Sequence, residues 1–261
     1  MREYIDLNKK SENDLIKSVI STKNLVKYYG KNKVVKEISI QLKQGEIVGL
    51  LGPNGAGKTT TFHMMIGLKK ASSGKVFLND LNITHMPMFK RARLGLSYLS
   101  QEPSVFSKLT VRDNVKAILE NMDLEKDKQN KRLERSLEDL DLARLSKQKA
   151  YSLSGGERRK LEITRALVTE PKFLFLDEPF SGVDPIAVSD IQKIIKKLQK
   201  RNIGILITDH NVLDTLKITE RAYIIYQGKV LLSGTSKELV NDPKARQIYL
   251  GDGFLDINFD N

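Results

Sequence analysis

Nine consecutive residues, Gly52-Pro53-Asn54-Gly55-Ala56-Gly57-Lys58-Thr59-Thr60, contain the parts of a phosphate-binding loop. Its glycines let the backbone curl with N–H groups pointing inward, and a side chain there would block close approach of the phosphates. Lys58 brings positive charge to the β- and γ-phosphates. The Thr59 hydroxyl can serve Mg²⁺, and a helix beginning here turns its positive end toward the anion. A second constellation, Phe173-Leu174-Phe175-Leu176-Asp177-Glu178, is an apolar strand ending in two carboxylates. Ligands of open α/β sheets sit at the C-terminal ends of strands. Asp177 is placed there to hold Mg²⁺, directly or through water. Glu178 would face the γ-phosphate and polarise an attacking water. Together these residues predict an Mg²⁺-dependent nucleoside triphosphatase.

A third motif, Leu153-Ser154-Gly155-Gly156-Glu157, also offers N–H groups and a hydroxyl at an expected helix start. Simple hydrolysis needs one cradle. Two suggest a nucleotide held between two surfaces, an arrangement that can turn hydrolysis into movement.

The elements that must carry these motifs are legible. Residues 22–51 read as strands, ending in the apolar run Ile47-Val48-Gly49-Leu50-Leu51, typical of a buried parallel strand. A helix is expected over 58–67. Further strands are expected at 75–78, 95–99, 172–176, 203–208 and 222–226. Between 110 and 150 the pattern turns helical, rich in Leu, Lys and Glu. Ile191, Ile194, Ile195 and Leu198 stand at helical spacing and read as core contacts. Apolar strands alternating with helices define an α/β fold with a largely parallel sheet. The helical stretch predicts an inserted helical subdomain at about 102–165. Residues 1–20 read as a charged extension, 21–255 as the domain and 256–261 as a tail.

Composition narrows the class further. The chain has 261 residues, 40% hydrophobic and 29% charged, as in ordinary globular proteins. With no cysteine, neither a disulfide framework nor a Cys-based metal site is available. The opening Met1-Arg2-Glu3-Tyr4-Ile5-Asp6 is polar and unlike a signal peptide. No apolar run approaches the ~18 residues that cross a bilayer. A cytoplasmic location is expected. The net charge of +12 is spread among acids, as in Lys128-Gln129-Asn130-Lys131-Arg132-Leu133-Glu134-Arg135, which reads as surface solvation. No nucleic-acid partner is expected.

At this point the chain resembles the nucleotide-binding subunits of ABC transporters over roughly residues 20–250. Leu153-Ser154-Gly155-Gly156-Glu157 matches the family signature, which is more specific than a phosphate loop. The resemblance implies the ABC ATPase fold: a P-loop NTPase core, an antiparallel β region and the inserted helical subdomain. It makes Gln101 the Q-loop glutamine, a catalytic and metal contact, and Ser181-Gly182-Val183-Asp184 the D-loop. His210, in Thr208-Asp209-His210, becomes the switch histidine. Tyr29 becomes the aromatic that stacks on adenine, with Tyr28 its competitor. Ser154, Gly155 and Gly156 would meet the γ-phosphate of ATP held by the opposite subunit of a homodimer.

A narrower resemblance points to the ATPases of lipopolysaccharide export, on Glu178-Pro179-Phe180-Ser181-Gly182-Val183-Asp184-Pro185-Ile186, Ile207-Thr208-Asp209-His210-Asn211-Val212 and Tyr249-Leu250-Gly251. Gln101-Glu102-Pro103-Ser104-Val105-Phe106 is also similar, whereas Ser100 and Ser107 depart from the pattern. This implies permease subunits docking near residues 101–115, with Phe106 either a contact or a core aromatic. It also implies a peripheral position on the cytoplasmic face of the inner membrane. Branched-chain amino acid importers have similar ATPase subunits and remain an alternative. Ribosomal relatives usually carry two cassettes, and DNA-repair relatives carry a coiled coil longer than the 58–154 interval allows.

Overall fold

The computed structural model describes residues 17–250. The central element is β4 (Ile47–Leu51), buried at every position. It lies inside a six-stranded sheet of order β11-β10-β4-β9-β8-β7. The other members are β7 (Leu96–Leu99), β8 (Phe173–Asp177), β9 (Gly204–Thr208), β10 (Arg221–Tyr226) and β11 (Lys229–Thr235). All pairings are parallel except β10 with β11. The expected strands over 47–51, 95–99, 172–176, 203–208 and 222–226 are thus members of one sheet. The antiparallel strand β11 was not anticipated; it is half-exposed and its apolar run is short, Val230-Leu231-Leu232.

A second, antiparallel sheet joins β1 (Val19–Tyr29), β2 (Asn32–Ile38), β3 (Gln41–Lys43), β5 (Ser73–Leu78) and β6 (Leu81–Asn82). β1 begins two residues before the domain start expected at 21, because Ile20 is fully buried in the core and pairs with Leu42 and Leu78. The remainder of the expected extension, 1–16, and the expected tail at 256–261 lie outside the described residues.

Strand alternation divides the core. Val48, Leu50, Phe173 and Phe175 face α1 (Lys58–Ile66), which is clasped between the two sheets. Phe62 meets Phe175 edge-on at 5.2 Å between ring centroids. Burial of such a side chain contributes about 1.5–3 kcal/mol. This explains why α1 shows no clean amphipathic stripe: Thr61, Phe62, Met64, Met65 and Ile66 are all buried. The alternate residues Ile47, Leu174, Leu176, Ile205 and Ile207 face α5 (Gly155–Leu167) and α6 (Pro185–Lys200). On α6, Ile191, Ile195 and Leu198 are buried as expected, and Ile194 is half-buried.

α2 (Met88–Arg93) precedes β7. The helical stretch resolves into α3 (Val111–Leu119) and α4 (Lys126–Asp139). With the start of α5 they enclose a separate apolar cluster that includes Val115, Leu133, Leu137 and Leu161. Short helices α7 (Val212–Leu216) and α8 (Ser236–Asn241) cover the β10 side of the main sheet.

Candidate nucleotide site

The phosphate loop leaves β4 at Gly52, whose φ is 141°. A Cβ there would lie 2.0 Å from the Ile225 carbonyl oxygen of β10. Gly52 is therefore a glycine because the sheet crowds it, and not only to admit phosphate. Gly57, at φ 103°, starts α1 without any side-chain cap. The first amides of that helix are left for an anion to satisfy. Asn54, Gly55, Ala56, Gly57, Lys58, Thr59 and Thr60 line a cavity of about 160 Å³ with Val34, Glu178 and Thr208. Pro53 accepts a hydrogen bond from the Ala56 amide, closing the turn. Lys58 Nζ donates to the carbonyls of Gly52 (2.6 Å) and Pro53 (3.0 Å). Burial lowers the Lys58 pKa, and the charges of Glu178, Asp177 and Asp209 partly offset this.

The carboxylates stand where β8 ends. Asp177 is buried, and its Oδ1 accepts from the Thr208 hydroxyl of β9. The next residue, Glu178, has a left-handed backbone, φ 47°. Such a conformation costs of order 1–3 kcal/mol and persists where surroundings enforce it. Here the Glu178 amide donates to the Thr208 carbonyl at 2.7 Å. The side chain reaches two groups distant in sequence. Glu178 Oε2 accepts from Gln101 Nε2 at 2.7 Å and lies 3.4 Å from His210 Nδ1. Thus the expected catalytic residues Gln101, Glu178 and His210 meet at one carboxylate, and Glu178 also lines the cavity that holds Lys58.

Tyr29 and Tyr28 are both exposed. The Tyr29 hydroxyl accepts from Lys69 Nζ at 3.0 Å, and the Thr60 side chain of the phosphate loop is close enough to act on it. Burial tends to raise its pKa, but hydrogen bonds from Lys69 and Thr60 and the charges of Lys69 and Lys27 outweigh this and lower it. Tyr28 instead stands beside Lys33 of β2. The neighbourhood of the loop belongs to Tyr29.

Ser154, Gly155 and Gly156 do not line the phosphate cavity of their own chain. Ser154 caps α5 in a reciprocal capping box with Glu157. Its amide and hydroxyl both donate to Glu157 Oε2, at 3.0 and 2.9 Å, and these two bonds lower the Glu157 pKa. The neighbours of the glycines are residues that follow β8. A Cβ on Gly156 would lie 2.8 Å from Ala187 Cβ, whereas one on Gly155 would meet only the Gly182 carbonyl oxygen at 3.8 Å. Ile186 beside them is 80% exposed.

Two functional candidates escaped sequence reasoning. Arg159, buried on α5, donates to Glu162 Oε2 (2.7 Å) and to the carbonyls of Ser100, Asp177, Glu178 and Pro179 (3.2–3.4 Å). It ties the signature helix to the Gln101 loop and to the strained backbone at Glu178. Its one local signal was a Glu three residues on. Asp209 is fully buried and accepts from the amides of Phe180 (3.1 Å) and Asn211 (2.7 Å). Burial raises its pKa, opposed by those amides. It anchors the His210 turn to the segment after Glu178. The apolar strand before it was the same signal that marked Asp177.

Residues 101–109 are exposed apart from half-buried Val105. Phe106 is 50% exposed, so it is not the core aromatic that was one of its two readings. Arg165 stacks over its ring at 4.7 Å, and the buried Asn114 side chain bonds both its amide and its carbonyl.

A parallel sheet whose strand tips present a glycine-rich loop, a lysine and paired carboxylates defines a P-loop nucleotide-binding protein. Comparison with known proteins narrows the class. Residues 35–181 match the model of the family described as "ABC transporter". The chain belongs to this family. It is 53% identical to the "Lipopolysaccharide export system ATP-binding protein LptB" of Acidithiobacillus ferridurans, over 90% of this chain and 98% of that protein. It is 46% identical to the protein of the same name in Escherichia coli strain K12, over 91% and 99%. Among solved structures, the ADP conformation of an ATP-binding cassette of an ABC transporter superposes with TM-score 0.81 at 29% identity, over 90% and 99%.

Proposed function

We propose that the chain is the ATP-binding and ATP-hydrolysing subunit of an ABC transporter that exports lipopolysaccharide or a related lipid. The observation that carries the hydrolytic reading is Glu178. Its carboxylate lines the phosphate cavity, is held by Gln101 and lies beside His210. The transport reading rests on relatives at 46–53% identity over 98–99% of their length.

In this reading ATP lies with adenine against Tyr29 and its phosphates in the loop 52–60. Lys58 trades its carbonyl partners for the β- and γ-phosphates. Glu178 accepts a proton from the attacking water as a general base. His210 and Gln101 hold that water and carboxylate in register. The oxygen donors Thr59, Gln101 and Asp177 fit Mg²⁺, which favours hard oxygen ligands and few protein ones beside nucleotide phosphates. Among the described residues no cluster of three or more His, Cys, Asp and Glu could hold a metal alone. When bound, Mg²⁺ would neutralise charge on the phosphates.

Ser154, Gly155 and Gly156 serve the nucleotide of a second copy. They stand outside their own chain's cavity, on a face that also exposes Ile186. ATP bridging two copies favours the closed dimer, and loss of the γ-phosphate releases it. The helical unit at about 102–165 carries this motion from Gln101 to permease subunits docked near 101–115, with Phe106 a contact. Among the described residues no helix is long and apolar enough to cross a membrane. A peripheral position on the cytoplasmic face of the inner membrane follows from the permease partnership.

The test is affinity purification of the tagged chain from detergent-solubilised membranes, with ATPase assay of the product. Recovery of two small permease-like proteins with Mg²⁺-dependent ATPase activity is expected. Recovery of ribosomes or nucleic acid instead would reject transport, and amino-acid permeases with a periplasmic binding protein would reject lipid export.

A further inference from the structure

Behind the Asp177 carboxylate lies a polar network that the catalytic reading has not used. His63 stands on α1 one turn after Thr59. Its Nε2 is 3.3 Å from the Tyr98 hydroxyl and 3.7 Å from Asp177 Oδ2. The ring is edge-on to Tyr98, with centroids 6.0 Å apart at 89°. The other nitrogen, Nδ1, is buried and has no hydrogen-bond partner among the described residues. A buried polar atom left unpaired costs about 1–3 kcal/mol, so an aromatic hydrocarbon would fill this slot more stably. The imidazole is explained only if Nε2 has work to do.

Tyr98 reaches His63 from β7, its hydroxyl 3.3 Å from Nε2. Thr208 already takes Oδ1. Oδ2 is the oxygen turned toward His63, whose Nε2 is in turn held by the Tyr98 hydroxyl.

We propose that His63 and Tyr98 are positioning residues for the metal-holding carboxylate. Tyr98 holds the imidazole through its hydroxyl, and the imidazole, packed 3.7 Å from Oδ2, fixes the rotation of Asp177 and thereby the affinity of the nucleotide site for its divalent cation. The proposal rests on reading the site as an Mg²⁺–ATP centre. Outer-shell partners of a metal ligand orient it, and their loss typically lowers metal affinity about 10–100-fold.

Two variants test it. His63→Phe keeps the ring volume and removes both nitrogens; Tyr98→Phe removes one oxygen. Trinitrophenyl-ATP fluorescence is followed while Mg²⁺ is titrated, and again in EDTA, with thermal unfolding as the check on folding. The Mg²⁺ midpoint is expected to rise about tenfold in His63→Phe and less in Tyr98→Phe, with binding in EDTA unchanged. An unchanged midpoint in either folded variant overturns the proposal. An equal loss in EDTA also overturns it, because the residues would then only brace α1. If the unmodified chain binds the nucleotide without any Mg²⁺ dependence, the Mg²⁺–ATP reading itself fails and the network falls with it.

Discussion

Replacing Glu178 by Gln separates charge from shape at the centre of the site. The substitution keeps the volume, and the amide-to-Thr208 hydrogen bond of 2.7 Å still holds the left-handed backbone. The amide oxygen of the new side chain could still accept from Gln101. What disappears is the basic oxygen that now lies 2.7 Å from Gln101 Nε2 and 3.4 Å from His210 Nδ1. A positioned general base contributes about 10²–10⁴ in rate. At about 1.36 kcal/mol per tenfold, that raises the barrier by about 2.7–5.4 kcal/mol. Binding changes in the other direction. Glu178 is the first of three carboxylates whose charges raise the Lys58 pKa. Without it the γ-phosphate meets one fewer like charge, so ATP binds at least as tightly. Phosphate release at saturating Mg²⁺–ATP should fall at least about 100-fold. Size-exclusion chromatography with Mg²⁺–ATP should show an accumulated dimer. Near-normal turnover would remove the base assignment, and loss of ATP binding would make the carboxylate a structural group.

Arg159→Met should cost about 3–5 kcal/mol in urea unfolding, because Glu162 is left buried and uncompensated. The double variant with Glu162→Met should regain stability without regaining turnover, since the carbonyls of Asp177, Glu178 and Pro179 stay unheld; recovered turnover would confine Arg159 to packing. Glu157→Gln keeps the capping-box geometry but removes the charge at the helix N-terminus, and should weaken α5 by about 0.3–1 kcal/mol at pH 7. A carboxylate whose folded pKa is lowered contributes stability above its unfolded value of about 4.3, lost as pH falls through the folded value. The unmodified chain should therefore lose more stability than the variant on acidification below that value, and parallel pH profiles would contradict the capping account. Gly156→Ala should destabilise by about 1–3 kcal/mol through its 2.8 Å clash with Ala187, and Ala187→Gly should restore part of this. Gly155→Ala, which meets only an atom at 3.8 Å, should leave the melting temperature unchanged while lowering turnover; unaltered ATPase activity there would place Gly155 away from the partner's nucleotide.

The motifs were legible because their reasons are local. An apolar run followed by a glycine-rich turn specifies strand, loop and helix within about 20 residues, and α1 indeed spans Lys58–Ile66 where 58–67 was expected. The run ending in Asp177 and Glu178 located β8 in the same way. Weak signals were read less well. β11, α7 and α8 are short or half-exposed and lack an apolar period. Asp209 shared the strand-end signal of Asp177, yet His210 beside it drew the assignment. Phe106 could be either core or surface until its exposure was visible.

By itself, then, the chain's amino-acid order determined the phosphate loop, the carboxylate pair, the capped signature helix and the α/β class. Tertiary structure alone decided which distant groups meet. Gln101 and Glu178 are 77 residues apart and touch because β7 and β8 are parallel neighbours. His210 joins them because β9 pairs with β8 on its other side. Gly52 must be a glycine because β10, contributed far later in the chain, pairs with β4 and brings the Ile225 carbonyl against it. His63 faces Asp177 because α1 is clasped against the sheet. Such contacts depend on strand order and register, which no local pattern of residue types contains.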